Sequence, residues 1–428
     1  MKRQLFSFFI LLIIFYSFAQ SEKEKQKILS MQEAVEMAYK FRPSLKALQF
    51  NTQANVYVEK QAIAGYKPQV ALNNYSFYAR GTKNLQNQIT LSGSQLIYSF
   101  ANPIDQKKIA KKGTLISKYQ EDSHKNLIRN EVENAYLNAF LEQERQNSIN
   151  ALNKSSKENI KSAEHKNELN LLDKNQWLIE KANYAKDESF VKFYIDEKNI
   201  AQKQLERLTG TTLFSGEDST ILKWNPQKKA HTLNNLENYI NTAMENRPEI
   251  KAYQTMVEQE QLNTNYYKNT YLPSVGIQGE ISRSSTIGST AGTVVRLNKV
   301  TSNIGVNLSW NMFDGSANFH KSNETHAKKL KAMMEKESTV KQIKLDVQTA
   351  YYDLDKAIKE QNAKFVEYKQ AKNEFILRKQ EFEIGNISAV TFENAKTNWE
   401  NKQIEWLSTE INTTVKQNNL NFVCNYSI

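Results

Sequence analysis

Residues 303–313 read Asn-Ile-Gly-Val-Asn-Leu-Ser-Trp-Asn-Met-Phe. Ile304, Val306, Leu308, Trp310 and Met312 alternate with Asn303, Gly305, Asn307, Ser309 and Asn311, the period of two that gives a strand one apolar and one polar face. Upstream, Val275, Ile277, Gly279 and Ile281 alternate in the same way with Gly276, Gln278, Glu280 and Ser282. A Ser/Thr/Gly-rich stretch over residues 282–301 reads as the connection, so a hairpin is expected over 274–313. A second pair of strand-like runs, 69–78 and 88–98, with a polar turn around 81–87, predicts another hairpin over 69–98, although Asn73, Asn74 and Ser76 interrupt its alternation.

The two hairpins occupy equivalent places in a duplicated unit. Tyr66-Lys67-Pro68 returns as Tyr271-Leu272-Pro273 and Arg42-Pro43 as Arg247-Pro248, in both cases 205 residues on. Each hairpin is preceded by a helical pattern, 31–63 and 236–269, broken at its internal proline. Ser30 with Glu33 makes a capping box for the first. Long helical patterns follow each hairpin. Residues 315–384 hold no proline, and Val340, Ile343, Val347, Ala350, Leu354 and Ala357 keep a heptad seam. About 65 residues in such a helix would reach roughly 100 Å, beyond the thickness of a bilayer. Val132, Ala135 and Tyr136 match Val347, Ala350 and Tyr351 at a separation of 215, which places ten extra residues in the longer second hairpin. A turn then reverses the chain, at Glu383-Ile384-Gly385-Asn386-Ile387-Ser388 in the second copy and near Lys166-Asn167-Glu168-Leu169 in the first. Gly385 suits a left-handed helix end and Ser388 a cap. Matching Asn167 to Gly385 raises the separation to 218 and implies that the two halves differ by about a helical turn.

Strands of roughly 10 residues can cross a bilayer when tilted, yet length alone fits a hairpin on a soluble core equally well. Four strands in two hairpins leave open edges, which lipid does not tolerate. Strands that face lipid would therefore come from several chains sharing one barrel. Tyr75, Phe77, Tyr78, Tyr98, Phe100 and Phe313 are candidates for an interfacial girdle.

Lys2 and Arg3 precede an apolar run over 5–18, and Ser17-Phe18-Ala19 supplies a cleavage signature, so residues 1–19 read as a signal peptide. The expected organisation is then a first repeat over 20–210, an irregular inter-repeat segment over 211–232, and a second repeat over 233–428. Lys+Arg number 57 against 46 Asp+Glu, for +11; without Lys2 and Arg3 the balance is +9. Acids and bases are interleaved along helices, which argues for a solvated surface and against a nucleic-acid footprint. A single cysteine, Cys424, excludes an intrachain disulfide. The five histidines are scattered, no metalloprotease, phosphate-loop or nucleophile motif occurs, and neither enzyme activity, cofactor nor metal site is expected.

The duplicated Arg-Pro and Tyr-x-Pro pairs, residues 308–315 (Leu-Ser-Trp-Asn-Met-Phe-Asp-Gly), residues 383–388 and residues 205–210 (Leu-Glu-Arg-Leu-Thr-Gly) together resemble the outer membrane efflux protein family, the TolC-like channel tunnels. The resemblance covers nearly all of the chain after residue 19. It implies a mainly α fold with a membrane β-barrel part: a homotrimer whose three chains give four strands each to a 12-stranded barrel, continued by a long α-helical periplasmic tunnel. It further implies an outer-membrane exit duct for efflux or type I secretion, working with a periplasmic adaptor and an inner-membrane transporter and without cofactor. An exported coiled-coil scaffold without channel activity is the competing reading. Family members close the periplasmic end just beyond the helical turns, which makes Asp173, Phe382, Glu383, Thr391, Glu393 and Asn394 gate candidates. Thr391 and Asn394 stand where many members carry carboxylates. Asn167, Glu168, Gly385 and Asn386 are the adaptor-docking candidates, and Ile304, Val306, Leu308, Trp310 and Met312 the lipid-facing strand.

Overall fold

The computed structural model describes residues 28–80, 84–169, 171, 173–214, 220–224, 233–290 and 293–425. The expected signal peptide and parts of the inter-repeat segment lie outside these residues. In chain order the elements are β1 (Ile28–Leu29), α1 (Met31–Phe41), α2 (Pro43–Ala62), β2 (Gln69–Ala79), β3 (Asn84–Ser99), α3 (Pro103–Glu168), α4 (Lys174–Thr209), β4 (Ile221–Leu222), α5 (Leu236–Asn246), α6 (Pro248–Asn269), β5 (Ser274–Thr290), β6 (Thr293–Ser309), α7 (Ala317–Glu383) and α8 (Ala389–Cys424). Ser30 closes the expected capping box: its hydroxyl accepts from the Glu33 N–H at 3.3 Å, and the Glu33 carboxylate accepts from the Ser30 N–H at 2.8 Å. Both internal prolines break their helices as expected, between α1 and α2 and between α5 and α6.

The chain forms two compact units. One contains Met1–Lys46, His124–Asn246 and Ile343–Ile428. Its core gathers Ala34, Ala38 and Leu45 with Ile128, Val132, Tyr136 and Leu137 of α3 and Ala201 and Leu205 of α4. Tyr136 is fully buried, and its hydroxyl lies 2.6 Å from the Leu29 carbonyl and 2.9 Å from the Lys223 carbonyl. It thereby ties together β1 and β4, which pair in parallel across only two residues. Glu206 anchors the segment after α4 by accepting from the Leu213 and Phe214 N–H groups at 2.8 and 2.9 Å.

The other unit contains Ala47–Ser123 and Arg247–Gln342. Its helices pack through small residues: Thr114, Ser117, Thr255, Thr264, Ser322 and Thr325 are buried, and several of their hydroxyls bond back to a carbonyl one turn earlier. Thr264 and Thr325 also meet across helices at 3.0 Å. The same unit holds the four-stranded sheet, ordered β2-β3-β5-β6 and antiparallel throughout.

The second hairpin departs from the sequence reading. Residues 282–301 are almost wholly strand: β5 runs to Thr290 and β6 starts at Thr293. Their Ser, Thr and Gly content reads as a loop, but β-branched residues recur through it and the backbone ladder needs no apolar side chains. β6 stops at Ser309, short of Phe313, because its next partner on β5 would be Pro273, which has no N–H to give to the ladder. The ten extra residues are thus shared between longer strands and the segment 310–316, against only 100–102 in the first copy.

Candidate functional site: an amphipathic sheet and two matched helical turns

The pairing register sorts the sheet into rows that share one face. Starting from the helix-proximal end, the rows are Tyr98, Val275 and Leu308; Gln95, Ile277 and Val306; Val70, Gly93, Gly279 and Ile304; Leu72, Leu91, Ile281 and Ser302; and Asn74, Ile89, Arg283 and Val300. This face is largely apolar and open, with Ile304 83% and Val306 75% exposed. The opposite face carries Gln88, Thr90 and Ser282, joined by hydrogen bonds, and Glu280 accepting from Asn303 at 3.0 Å. A surface with large aliphatic residues at such exposure is an interaction surface. Among the described residues, no helix is long and apolar enough to cross a membrane.

Ile304, Val306 and Leu308 lie on this apolar face. Trp310 and Met312 are exposed but lie past the strand end, where the Trp310 indole N–H donates to the Tyr271 carbonyl at 2.9 Å. Of the six girdle candidates, Tyr75 and Phe77 fall on the polar face, because they occupy the alternate positions to Val70 and Leu72; their rings lie 5.3 Å apart. Tyr78 and Tyr98 fall on the apolar face, and Phe100 packs edge-on against Tyr98.

The helical turns are the second feature. After α7 the chain closes a Schellman pair: the Gly385 N–H donates to the Phe382 carbonyl and the Asn386 N–H to the Glu381 carbonyl, with Gly385 at φ 78°. Ser388 caps α8 by accepting from the Thr391 N–H. In the first copy, Asn167 does not end the helix. α3 continues through Glu168, and the Leu171 N–H donates to the Lys166 carbonyl. That bond matches the one from Asn386 to Glu381 at a separation of 215, and the caps Asp173 and Ser388 are also 215 apart. The separation of 218 and the inferred extra turn are therefore overturned. Asparagine can adopt several helix-end positions, so residue type alone placed the turn three residues early. The correspondence persists to the ends of α4 and α8, where Gly210 (φ 71°) and Asn425 (φ 53°) take the same left-handed cap.

The gate candidates do not form one cluster. Asp173 and Asn394 are exposed, and the Asp173 side chain makes no capping bond. Thr391 faces Ser388 at 3.0 Å. Glu393 instead accepts from Ser155 of α3 at 3.1 Å, with Lys396 at 3.7 Å. Phe382 stacks on Phe392 at 4.9 Å, Phe392 meets Phe375 at 5.8 Å, and Phe375 stacks on Trp399 at 4.7 Å. This ladder zips α7 to α8 beside the turn. Its spacing of seven residues on each helix, 375 to 382 and 392 to 399, is the signal that would have found it. Farther along, Lys364 and Lys402 alternate with Glu367 and Glu405 in a four-membered ring of contacts from 2.9 to 3.2 Å. Glu168 and Glu383 are both exposed, each followed by an exposed aliphatic residue, Leu169 and Ile384.

Comparison with known proteins gives a consistent result. Residues 239–425 match the family model described as outer membrane efflux protein. The fold is similar to that of the Campylobacter jejuni CmeC outer membrane channel, with 15% identity, TM-score 0.72 and coverage of 92% of this chain and 85% of that one. It is likewise similar to the open-state MtrE outer membrane channel of Neisseria gonorrhoeae, at 14% identity, TM-score 0.71 and 92% and 88% coverage. The Vibrio cholerae outer membrane protein VceC matches with 14% identity, TM-score 0.67 and 92% and 95% coverage. At these identities the likeness is one of fold. No curated protein matches the chain by sequence.

Proposed function

We propose that this chain, whose residues 239–425 match the outer membrane efflux protein family model, is a member of that family and the outer-membrane exit duct of an efflux system, a passive conduit extending into the periplasm. The observation that carries this reading is the sheet. One face is apolar and open, and its outer strands β2 and β6 each pair on one side only among the described residues. Lipid forbids unpaired edges, so closure requires other copies, and three chains would give the 12 strands of one barrel. Type I secretion would use the same conduit.

The test is fractionation followed by conductance. The protein should require detergent for extraction from the outer membrane and open ion-conducting channels in a planar bilayer. Recovery as a soluble, non-conducting coiled coil would overturn the reading.

We further propose that Asp173, Phe382, Glu383, Thr391, Glu393 and Asn394 border the periplasmic gate. Opening there would separate the link from Ser155 to Glu393 and strain the aromatic ladder. Alanine at both Asp173 and Asn394 should raise conductance and antibiotic entry; unchanged values would sink this assignment. Asn167, Glu168, Gly385 and Asn386 are proposed to form the rim that docks a periplasmic adaptor serving an inner-membrane transporter. The paired exposed residues Leu169 and Ile384 support this placement. Normal adaptor crosslinking after bulky substitution at both turns would refute it.

A further inference from the structure

On the apolar face of the sheet, the rows do not stay apolar to the hairpin tips. Beyond the row of Asn74, Ile89, Arg283 and Val300 comes one made entirely of polar residues: Ser76, Asn87, Ser285 and Asn298. Asn87 donates to Asn74 and to Ser76 within it, at 2.9 and 2.6 Å. The next row is Tyr78, Leu85, Ile287 and Arg296. From Leu308 to Val300 the strand rises about 27 Å, or roughly 20 Å along the membrane normal at a tilt near 40°. That is close to the height of a barrel's apolar band, so the polar row falls where hydrocarbon gives way to headgroups.

The charges there are all of one sign. Among the described residues of the four strands, Arg283 and Arg296 are the only charged residues on this face; both are exposed, and Glu280 and Lys299 belong to the opposite face. In the register Arg283 lies opposite Val300 and Arg296 opposite Ile287, which brackets the polar row with an arginine on each side. A charged residue on a lipid face is costly at the midplane and tolerated at the interface, and a guanidinium pairs bidentately with phosphate oxygens.

We propose that Arg283 and Arg296, with the hydrogen-bonding row between them, form a site on the outer rim of the barrel for the phosphate-bearing headgroup of an anionic outer-leaflet lipid. The inference rests on the membrane reading given above. The guanidinium groups neutralise the phosphate, and Asn87, Ser285 and Asn298 contact the polar part of the headgroup that lies between them.

Nanodiscs of phosphatidylcholine alone and of phosphatidylcholine with bis-phosphorylated lipid A test it, using the natural chain, R283Q/R296Q and the opposite-face control K299Q. Native mass spectrometry reads the retained lipid, and thermal unfolding reads the stabilisation. The natural chain and K299Q should retain lipid A and unfold at higher temperature in its presence. R283Q/R296Q should insert normally but bind lipid A about tenfold or more weakly. Equal retention and equal stabilisation of all three would overturn the site while leaving the membrane reading intact. Failure of all three to insert would overturn both.

Discussion

Replacing Tyr136 by Phe removes one oxygen from the centre of the core and nothing else. That hydroxyl donates toward the Leu29 carbonyl, lies within reach of the Lys223 carbonyl and accepts from the Lys223 N–H at 3.1 Å. Without it, the Leu29 carbonyl is left unpaired in a place that water does not reach, because Tyr136 and Leu29 are essentially buried, and the part-buried Lys223 N–H loses its partner as well. A stranded buried group costs about 1–3 kcal/mol; with partial relaxation the two together should cost about 2–3 kcal/mol. The β1–β4 ladder has only two pairs, so the loss should appear as local opening, speeding amide exchange of residues 28–29 and 221–223 by about 30- to 150-fold. Hydrogen–deuterium exchange with peptide resolution measures this. Titration gives a second readout: burial above all pushes the Tyr136 hydroxyl up to about 12 from 10.0. The folded state therefore holds the proton more tightly than the open one, and the stabilisation is complete below pH 10 and lost as pH rises toward about 12. Tyr136→Phe should abolish that alkaline opening. Exchange in the variant within about threefold of the natural chain at neutral pH would refute the reasoning.

Gly385→Ala should cost about 1 kcal/mol from its positive φ alone, since a Cβ there meets no atom, whereas Gly210→Ala should cost more because its Cβ would also press on Phe41 at 3.3 Å; paired thermal melts compare them. Glu206→Gln should loosen residues 211–214 by about 1–2 kcal/mol in exchange measurements. Burial alone would raise the Glu206 carboxyl, but Lys203 and the Phe214 and Leu213 N–H groups outweigh it and hold it below its usual range. Its contribution is therefore present at neutral pH and fades as pH falls through that lowered value. Glu410 is the opposite case, held above the usual carboxylate range by burial, and its Oε2 has no hydrogen-bond partner among the described residues. Glu410→Gln should raise the melting temperature at pH 7 and lose that advantage under acid, where the natural carboxyl is already neutral. A stabilisation independent of pH would contradict the assignment.

The parts of the fold that were legible in the sequence are those written in local chemistry. Pro43 and Pro248 set helix breaks, Ser30 with Glu33 set a cap, and the alternation after Asn303 set a strand and its apolar face. What escaped depended on partners. Residues 282–301 look like loop until their ladder is drawn, and β6 ends where a proline on the neighbouring strand, not anything in its own sequence, stops it. Tyr136 stood out as the repeat counterpart of Tyr351, but the two-residue strands that its hydroxyl joins leave no periodic trace. Glu393 reads as an exposed carboxylate beside a turn, and only packing reveals Ser155 as its partner. At the first turn, residue type alone pointed to Asn167 as the helix end, and the backbone bond from Leu171 to Lys166 puts the reversal later.

Disulfide scanning between the sheet edges tests the shared barrel most directly. Single cysteines placed along β2 and along β6, combined in one chain that also carries Cys424→Ser, should crosslink between chains at one register. The products should form a ladder that stops at three chains. An absence of crosslinks at every register, or a ladder that continues past three, would contradict a closed barrel built from three copies of this sheet.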